Sequence, residues 1–173
     1  MTLRKVIVMK MGIQLAAAIV SIASTISFAA DATFTVRTLT PEAALKAAQG
    51  ALAKCRAEGF QATVAVVDRS GVTLALLRDR YAAPHTVDTA QRKAQTAINF
   101  KMNTAALDRE LQPGKASAGI RHLPGVAAIA GGMVIEGQGA LVGAIGVSGA
   151  PGPANDDTCA AAGIKAIAED LEF

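Results

Sequence analysis

Few side chains in this chain can act as nucleophiles, acid–base groups or metal ligands. Its 173 residues include two histidines, two cysteines and one tyrosine. His85 and His122 lack the supporting carboxylate pattern of a catalytic triad, and Ser148 lacks the context of a nucleophile elbow. Histidine, cysteine and carboxylate residues do not have the spacing of a zinc site either. These observations argue against a hydrolase and against a zinc protein.

A glycine-rich run near the C-terminus does not form a nucleotide-binding motif. Residues 143–149 read Gly-Ala-Ile-Gly-Val-Ser-Gly, which lacks the spacing of a dinucleotide fingerprint and the lysine of a P-loop. Close packing of a strand, followed by a glycine turn into Pro151, is the simpler interpretation.

The positive charge of the chain is concentrated at its N-terminus. Three of the 17 basic residues lie within residues 1–29, which contain no acid, and the remaining 14 balance 14 acidic residues. Because residues 30–173 have no net formal charge, a nucleic-acid partner is not expected. The length suits one domain, and a hydrophobic fraction of 51% excludes a disordered chain.

Residues 1–29 have the pattern of a secretory signal peptide. Arg4, Lys5 and Lys10 precede an apolar stretch, and Ser27-Phe28-Ala29 predicts cleavage before Ala30. A membrane anchor is the alternative, but the stretch is shorter than the roughly 20 apolar residues that a span needs. We therefore expect a periplasmic or secreted domain of residues 30–173, with no stable membrane insertion after cleavage.

The rest of the chain alternates helices with hairpins. Thr40-Pro41 begins the first helix, and Asp156 is expected to cap the last one, over residues 157–171. Helices are also predicted at residues 86–100 and 105–111, and hairpins at 62–68 with 72–78 and at 126–135 with 140–148. On the second helix, Arg92 and Lys93 are assigned to the polar face. Hairpin-linked strands predict a single antiparallel sheet of about five strands with helices packed on its faces, an α/β (α+β) fold.

Several segments together resemble the GlcG/HbpS-like family of heme-binding proteins, which includes the C-terminal domain of PduO-type proteins. They occur in the family's order and cover nearly all of residues 30–173. The segments are Val66-Val67-Asp68-Arg69-Ser70-Gly71, Arg92-Lys93-Ala94-Gln95-Thr96-Ala97, Leu123-Pro124-Gly125 with Gly131-Gly132, residues 142–149, and Asp156-Asp157-Thr158-Cys159-Ala160.

The resemblance implies a profilin-like fold, a homo-oligomer, and binding of heme or a related tetrapyrrole. Heme degradation is attributed to some members, and others accompany glycolate or diol metabolism. A heme needs an iron ligand and cations for its propionates. His85 is the predicted axial ligand, with Tyr81 and His122 as further candidates and Arg80 and Arg92 as candidate cations. No catalytic residue is assigned.

Two cysteines occur on the first and last predicted helices. Export would permit a disulfide between Cys55 and Cys159, but two small buried residues on apolar stripes are the preferred interpretation.

Three hypotheses for function follow from these patterns. The first is an exported, oligomeric protein that binds heme for storage, delivery or redox sensing. The second is an enzyme of the same fold that degrades heme oxidatively or acts on a small organic acid. The third is a sensory accessory that contacts a membrane receptor.

Overall fold

The computed structural model describes residues 32–172. The predicted leader and the cleavage point before Ala30 lie outside the described residues. Residues 32–35, which form no helix or strand, belong to a separate unit, and the fold below is that of residues 36–172. None of the helices among the described residues has the length and hydrophobicity needed to cross a bilayer.

The fold is α+β, with one antiparallel sheet. The strands are β1 (Thr63–Asp68), β2 (Thr73–Arg78), β3 (Gly132–Gly137) and β4 (Ala140–Ser148), in the order β2-β1-β4-β3. The helices are α1 (Pro41–Ala57), α2 (His85–Phe100), α3 (Thr104–Glu110) and α4 (Pro153–Ala166), with 3-10 turns at Ala118–His122 and Glu169–Leu171.

The helices cover both faces of the sheet. Helices α1 and α4 pack on each other and on one face, where alternate residues of β1 such as Val64 and Val66 are buried. Helix α2 packs on the opposite face, against Val67 and Ala144. The period-2 alternation along each strand separates the two apolar layers.

Helix α2 lies directly on β4 because glycine leaves room for its main chain. A Cβ atom at Gly146 would lie 2.1 Å from the carbonyl oxygen of Ala90 and 2.6 Å from the nitrogen of Ala94. The glycine run therefore serves close packing at this position, as the sequence predicted.

Cys55 and Cys159 form a disulfide between α1 and α4. Their Cα atoms are 5.4 Å apart, and both residues are fully buried. This settles the pairing that the sequence left open.

The predicted count of about five strands was slightly too high, because the sheet has four strands among residues 32–172. Residues 126–131, expected in the first arm of the second hairpin, form a loop that side chains of α2 and α3 hold. The Thr96 hydroxyl accepts from the Ala127 N–H at 2.9 Å, and the Thr104 hydroxyl donates to the Ile129 carbonyl at 2.7 Å. Gly131, with a φ of +113°, then turns the chain into β3.

Two further predictions, one about the start and end of the last helix and one about Lys93 on α2, were also wrong. Helix α4 begins at Pro153 and ends at Ala166, and its N-cap is Gly152 rather than Asp156. Lys93, assigned to the polar face of α2, is only 2% exposed. Lys93 and Asp156 bind each other in the interior, so neither has the role that the sequence predicted for it.

Candidate functional site

An open depression of about 530 Å³ lies at the end of the sheet where β1 begins and β2 and β4 end. Helices α2 and α4 both begin there. Three segments line it: Gly59-Phe60-Gln61; Tyr81, Ala83, His85 and Thr86; and Ser148 through Pro153 with Asp156.

Two of the residues predicted from the sequence meet in this depression. Tyr81 lies in the loop after β2 and is 80% exposed. His85 is the first residue of α2 and is also exposed. A histidine and a tyrosine thus line the same open space, and the side chains of both residue types are able to ligate an iron ion.

The loop that carries Tyr81 and His85 is anchored to α1 by an ion pair. Arg56 donates from Nε to Asp79 Oδ2 at 2.7 Å and from Nη2 to Oδ1 at 3.0 Å. The hydrogen bond from Arg56 holds the pKa of the Asp79 carboxyl below its usual range, although burial opposes it. The carboxylate also accepts from the Arg80 N–H at 2.9 Å, so the chain just before Tyr81 is fixed.

The start of α2 is fixed to the sheet by a buried pair of hydroxyls. Thr63 Oγ1 and Thr86 Oγ1 are 2.7 Å apart, and Thr86 Oγ1 also lies 2.6 Å from the Ala83 carbonyl, to which it donates. His85 is therefore held at the rim by the residue that follows it.

The opposite wall of the depression is built on the buried pair of Lys93 and Asp156. Lys93 Nζ donates to Asp156 Oδ2 at 2.7 Å and to the Val147 carbonyl at 2.9 Å. Asp156 Oδ1 accepts from the Ala150 N–H at 3.0 Å, which fixes the loop between β4 and α4. Burial raises the pKa of the Asp156 carboxyl, while the hydrogen bond from Lys93 acts in the opposite direction.

The other predicted site residues lie elsewhere. Arg80 and Arg92 do not line the depression. Arg92 pairs with Asp88 at 2.7 Å on the exposed side of α2, beside a second depression that Pro124 and Gly125 also line. His122 is exposed at the end of the 3-10 turn Ala118–His122. Their predicted roles toward a ligand stay predictions.

Sequence reasoning missed Lys93, Ser148 and Asp156 as parts of this region. A signal for Lys93 was present, since it follows Ala90 by three residues and precedes Ala97 by four. Those spacings place it on the apolar side of the helix. A lysine there needs a buried acid, but the sequence pattern predicts helix capping for Asp156 and indicates no partner for Lys93.

Comparison with known proteins identifies the family. Residues 39–165 match the family model described as "Haem degrading protein HbpS-like". The chain belongs to the HbpS-like family.

The relatives span nearly the whole described domain. A double mutant of HbpS from Streptomyces reticuli is 38% identical, with a TM-score of 0.73 over 83% of this chain and 96% of that one. The PduOC–heme complex is 29% identical, with a TM-score of 0.71 over 75% of this chain and 95% of that one. An uncharacterised 15.0 kDa protein from the dhaT–dhaS intergenic region of Citrobacter freundii is 31% identical over 66% of this chain and 82% of its own length. HbpS-like membership and the α+β fold are thus confirmed.

The residues of the depression suit the ligand known for one of these relatives. Within the described residues, no three histidine, cysteine or carboxylate side chains meet to hold a metal ion. A heme iron is already held by its porphyrin and needs only axial ligands from the protein. His85 and Tyr81 supply such donors, and Phe60, Pro151 and Pro153 supply apolar surface.

Proposed function

We propose that this HbpS-like protein binds heme in the depression between the β2–α2 loop and the β4–α4 loop. His85 is the axial ligand and Tyr81 is the neighbouring donor. The observation that carries the proposal is that both residues line one open space of about 530 Å³, within the range of small-molecule sites. Membership of a family that includes the PduOC–heme complex supports it.

The protein's own residues would do two things for the ligand. His85 binds iron, and its position as the first residue of α2, next to the buried Thr86, limits its movement. Phe60 and the two prolines cover part of the macrocycle. Bound heme would supply redox-active iron, which suits storage, delivery or redox sensing.

Heme titration of the purified domain tests the proposal. We expect His85→Ala to weaken heme binding by tenfold or more, which is about 1.4 kcal/mol, and to shift the Soret band. The matched control is His122→Ala, which removes another exposed imidazole from a different element. Unchanged affinity and spectrum in His85→Ala would refute ligation by His85 and direct attention to Tyr81→Phe. Absence of saturable binding by the wild type would refute the proposed ligand.

A second candidate function is oxidative degradation of heme, because the matching family model carries that description. It is tested by adding ascorbate or peroxide to the heme complex under air and following the absorption spectrum. Biliverdin formation above that of free heme supports an enzyme. A Soret band that persists supports a binding protein.

We also propose that the domain is exported and works as a homo-oligomer. Mass spectrometry of exported material should give Ala30 as the N-terminus, and an intact Met1 would contradict export with cleavage. Light scattering at micromolar concentration should report several times the mass of one chain. The mass of a single chain would contradict the oligomer.

A further inference from the structure

The Cys55–Cys159 disulfide connects two of the segments that line the depression. Cys55 is in the last turn of α1, and its carbonyl oxygen accepts from the Phe60 N–H at 2.8 Å. Phe60 is the middle residue of one lining segment. Cys159 follows Asp156, a residue of another lining segment, by three positions in α4. The bond therefore joins the helix that ends before one segment to the helix that begins at the other.

The last turn of α1 also anchors the third lining segment. Arg56 forms the ion pair with Asp79, and the Asp79 carboxylate accepts from the Arg80 N–H. Tyr81 is the next residue and lines the depression. This turn of α1 therefore positions Phe60 through a main-chain hydrogen bond and Tyr81 through an ion pair.

The first turns of α4 position the loop between β4 and α4. Asp156 accepts from the Ala150 N–H at 3.0 Å and pairs with Lys93 at 2.7 Å. Cys159 lies one turn further along and is bonded to α1. The ion pair thus holds this part of α4 to α2, and the disulfide holds it to α1.

The disulfide lies at the end of the α1–α4 contact that is nearest the depression. The two helices also pack closely at Gly163, where a Cβ atom would lie 2.6 Å from the Ala47 carbonyl oxygen. A second close contact is at Gly50, where a Cβ atom would lie 2.7 Å from the Cβ atom of Ala166. Both contacts are about one turn or more farther from the lining segments than the disulfide is. The disulfide therefore fixes the spacing of the helix ends that carry the lining.

We infer that the Cys55–Cys159 disulfide is a positioning element of the ligand site, and that its reduction by a dithiol lowers the affinity for the ligand. The disulfide accepts two electrons and two protons and becomes two thiols, while the dithiol becomes a cyclic disulfide. The inference rests on the proposed function and adds a regulation of the same site. The cysteines act through Phe60 and Tyr81. Both cysteines are fully buried, so a reductant reaches them when the two helices separate.

Heme titration of the oxidised and the reduced protein tests the inference. Dithiothreitol reduces the bond, thiol titration verifies the reduction, and gel filtration under nitrogen removes the reductant, because a free thiol itself ligates heme iron. We expect the dissociation constant to rise about threefold or more on reduction, because a less rigid site pays more to order itself around the ligand. Cys55→Ala with Cys159→Ala should bind heme as weakly as the reduced protein, before and after the same treatment. Equal affinities of the oxidised and reduced wild type would overturn the inference.

A second comparison separates positioning from a general loss of stability. Leu111→Ala truncates a fully buried side chain at the end of α3, outside the lining of the depression. It should lower the unfolding midpoint in urea and leave heme affinity unchanged, with all titrations made where circular dichroism shows a folded protein. An equal loss of affinity in Leu111→Ala and in the cysteine variant would overturn the inference. If the alanine pair does not fold, Cys55→Val with Cys159→Ala restores part of the lost volume and takes its place.

Amide hydrogen exchange tests the inference without a ligand. If the wild type binds no heme, the proposed function fails, and exchange still reports whether the lining is positioned by the disulfide. Reduction should speed exchange at Phe60, Arg80 and Ala150, whose N–H groups hold the three lining segments. The control amides are Ala127 and Val134, which donate to side chains outside α1 and α4. Acceleration that is equal at all five amides, or absent, would overturn the inference.

Discussion

The ammonium group of Lys93 lies 2.7 Å from the carboxylate of Asp156, with both side chains almost completely buried. The pair joins α2 on one face of the sheet to α4 on the other. Gly131 packs against it so closely that a Cβ atom there would lie 2.8 Å from Lys93 Nζ. One ion pair thus connects α2 to α4 and contacts both the start of β3 and the wall of the candidate site.

Removing one partner of this pair should destabilise the fold strongly. Lys93→Met leaves a buried carboxylate without its counter-ion, and we expect the free energy of unfolding to fall by about 3–5 kcal/mol. Lys93→Met with Asp156→Leu should recover much of that loss, because no charge is then buried alone. Urea denaturation measures both, with Lys165→Met as the exposed control. A double variant as unstable as the single one would show that the partner's charge is not the cause.

Adding one methyl group at the α2–β4 contact should also be costly. Gly146→Ala places a Cβ atom 2.1 Å from the Ala90 carbonyl oxygen, and main-chain atoms cannot move aside cheaply. We expect a loss of about 1–3 kcal/mol or more. Gly119→Ala is the control, since a Cβ atom there meets nothing within 4 Å. Equal unfolding midpoints in urea for the two variants would contradict this packing.

Reducing the disulfide should lower stability markedly. Cys55 and Cys159 are separated by 104 residues in sequence, and a cross-link over a loop of about 100 residues is worth up to about 4.7 kcal/mol in the chain-entropy model. Dithiothreitol should lower the unfolding midpoint of the wild type and leave that of Cys55→Ala with Cys159→Ala unchanged. A wild-type midpoint that does not respond to full reduction, verified by thiol titration, would contradict a stabilising role.

The Arg56–Asp79 pair should contribute stability that is lost in acid. The hydrogen bond from Arg56 lowers the pKa of Asp79 below its ordinary value of 3.8, so the folded state releases this proton more readily than the unfolded state. The contribution is complete above that ordinary value and disappears as the pH falls through the lower folded pKa. Stability measured in urea from pH 7 to pH 2 should decline less in Arg56→Met than in the wild type.

The control for this pH series is Lys46→Met, which removes the partner of the exposed Asp170. Its decline in acid should match that of the wild type, because an exposed ion pair contributes little to stability. A wild-type-like decline in Arg56→Met would show that other carboxylates govern the acid response.

The sequence alone determined most of the local structure. Thr40 and Pro41 predicted the start of α1, and the Thr40 hydroxyl does accept from the Ala43 N–H at 3.2 Å. The β-branched runs and turn residues predicted antiparallel hairpins. These signals are local, since capping, turn formation and strand alternation depend on residues a few positions apart.

Tertiary structure decided what depends on residues far apart in the chain. It buried Lys93 by pairing it with an acid 63 positions away, which also took Asp156 from its expected capping role. It brought Cys55 and Cys159 within bonding distance. Residues 126–131 form a loop instead of a strand, and this loop hydrogen-bonds to the hydroxyls of Thr96 and Thr104. Tertiary structure also brought Ser148 into the same depression as His85 and Pro153. Each of these outcomes is a competition between a local preference and a long-range contact, and only the packed chain shows which one wins.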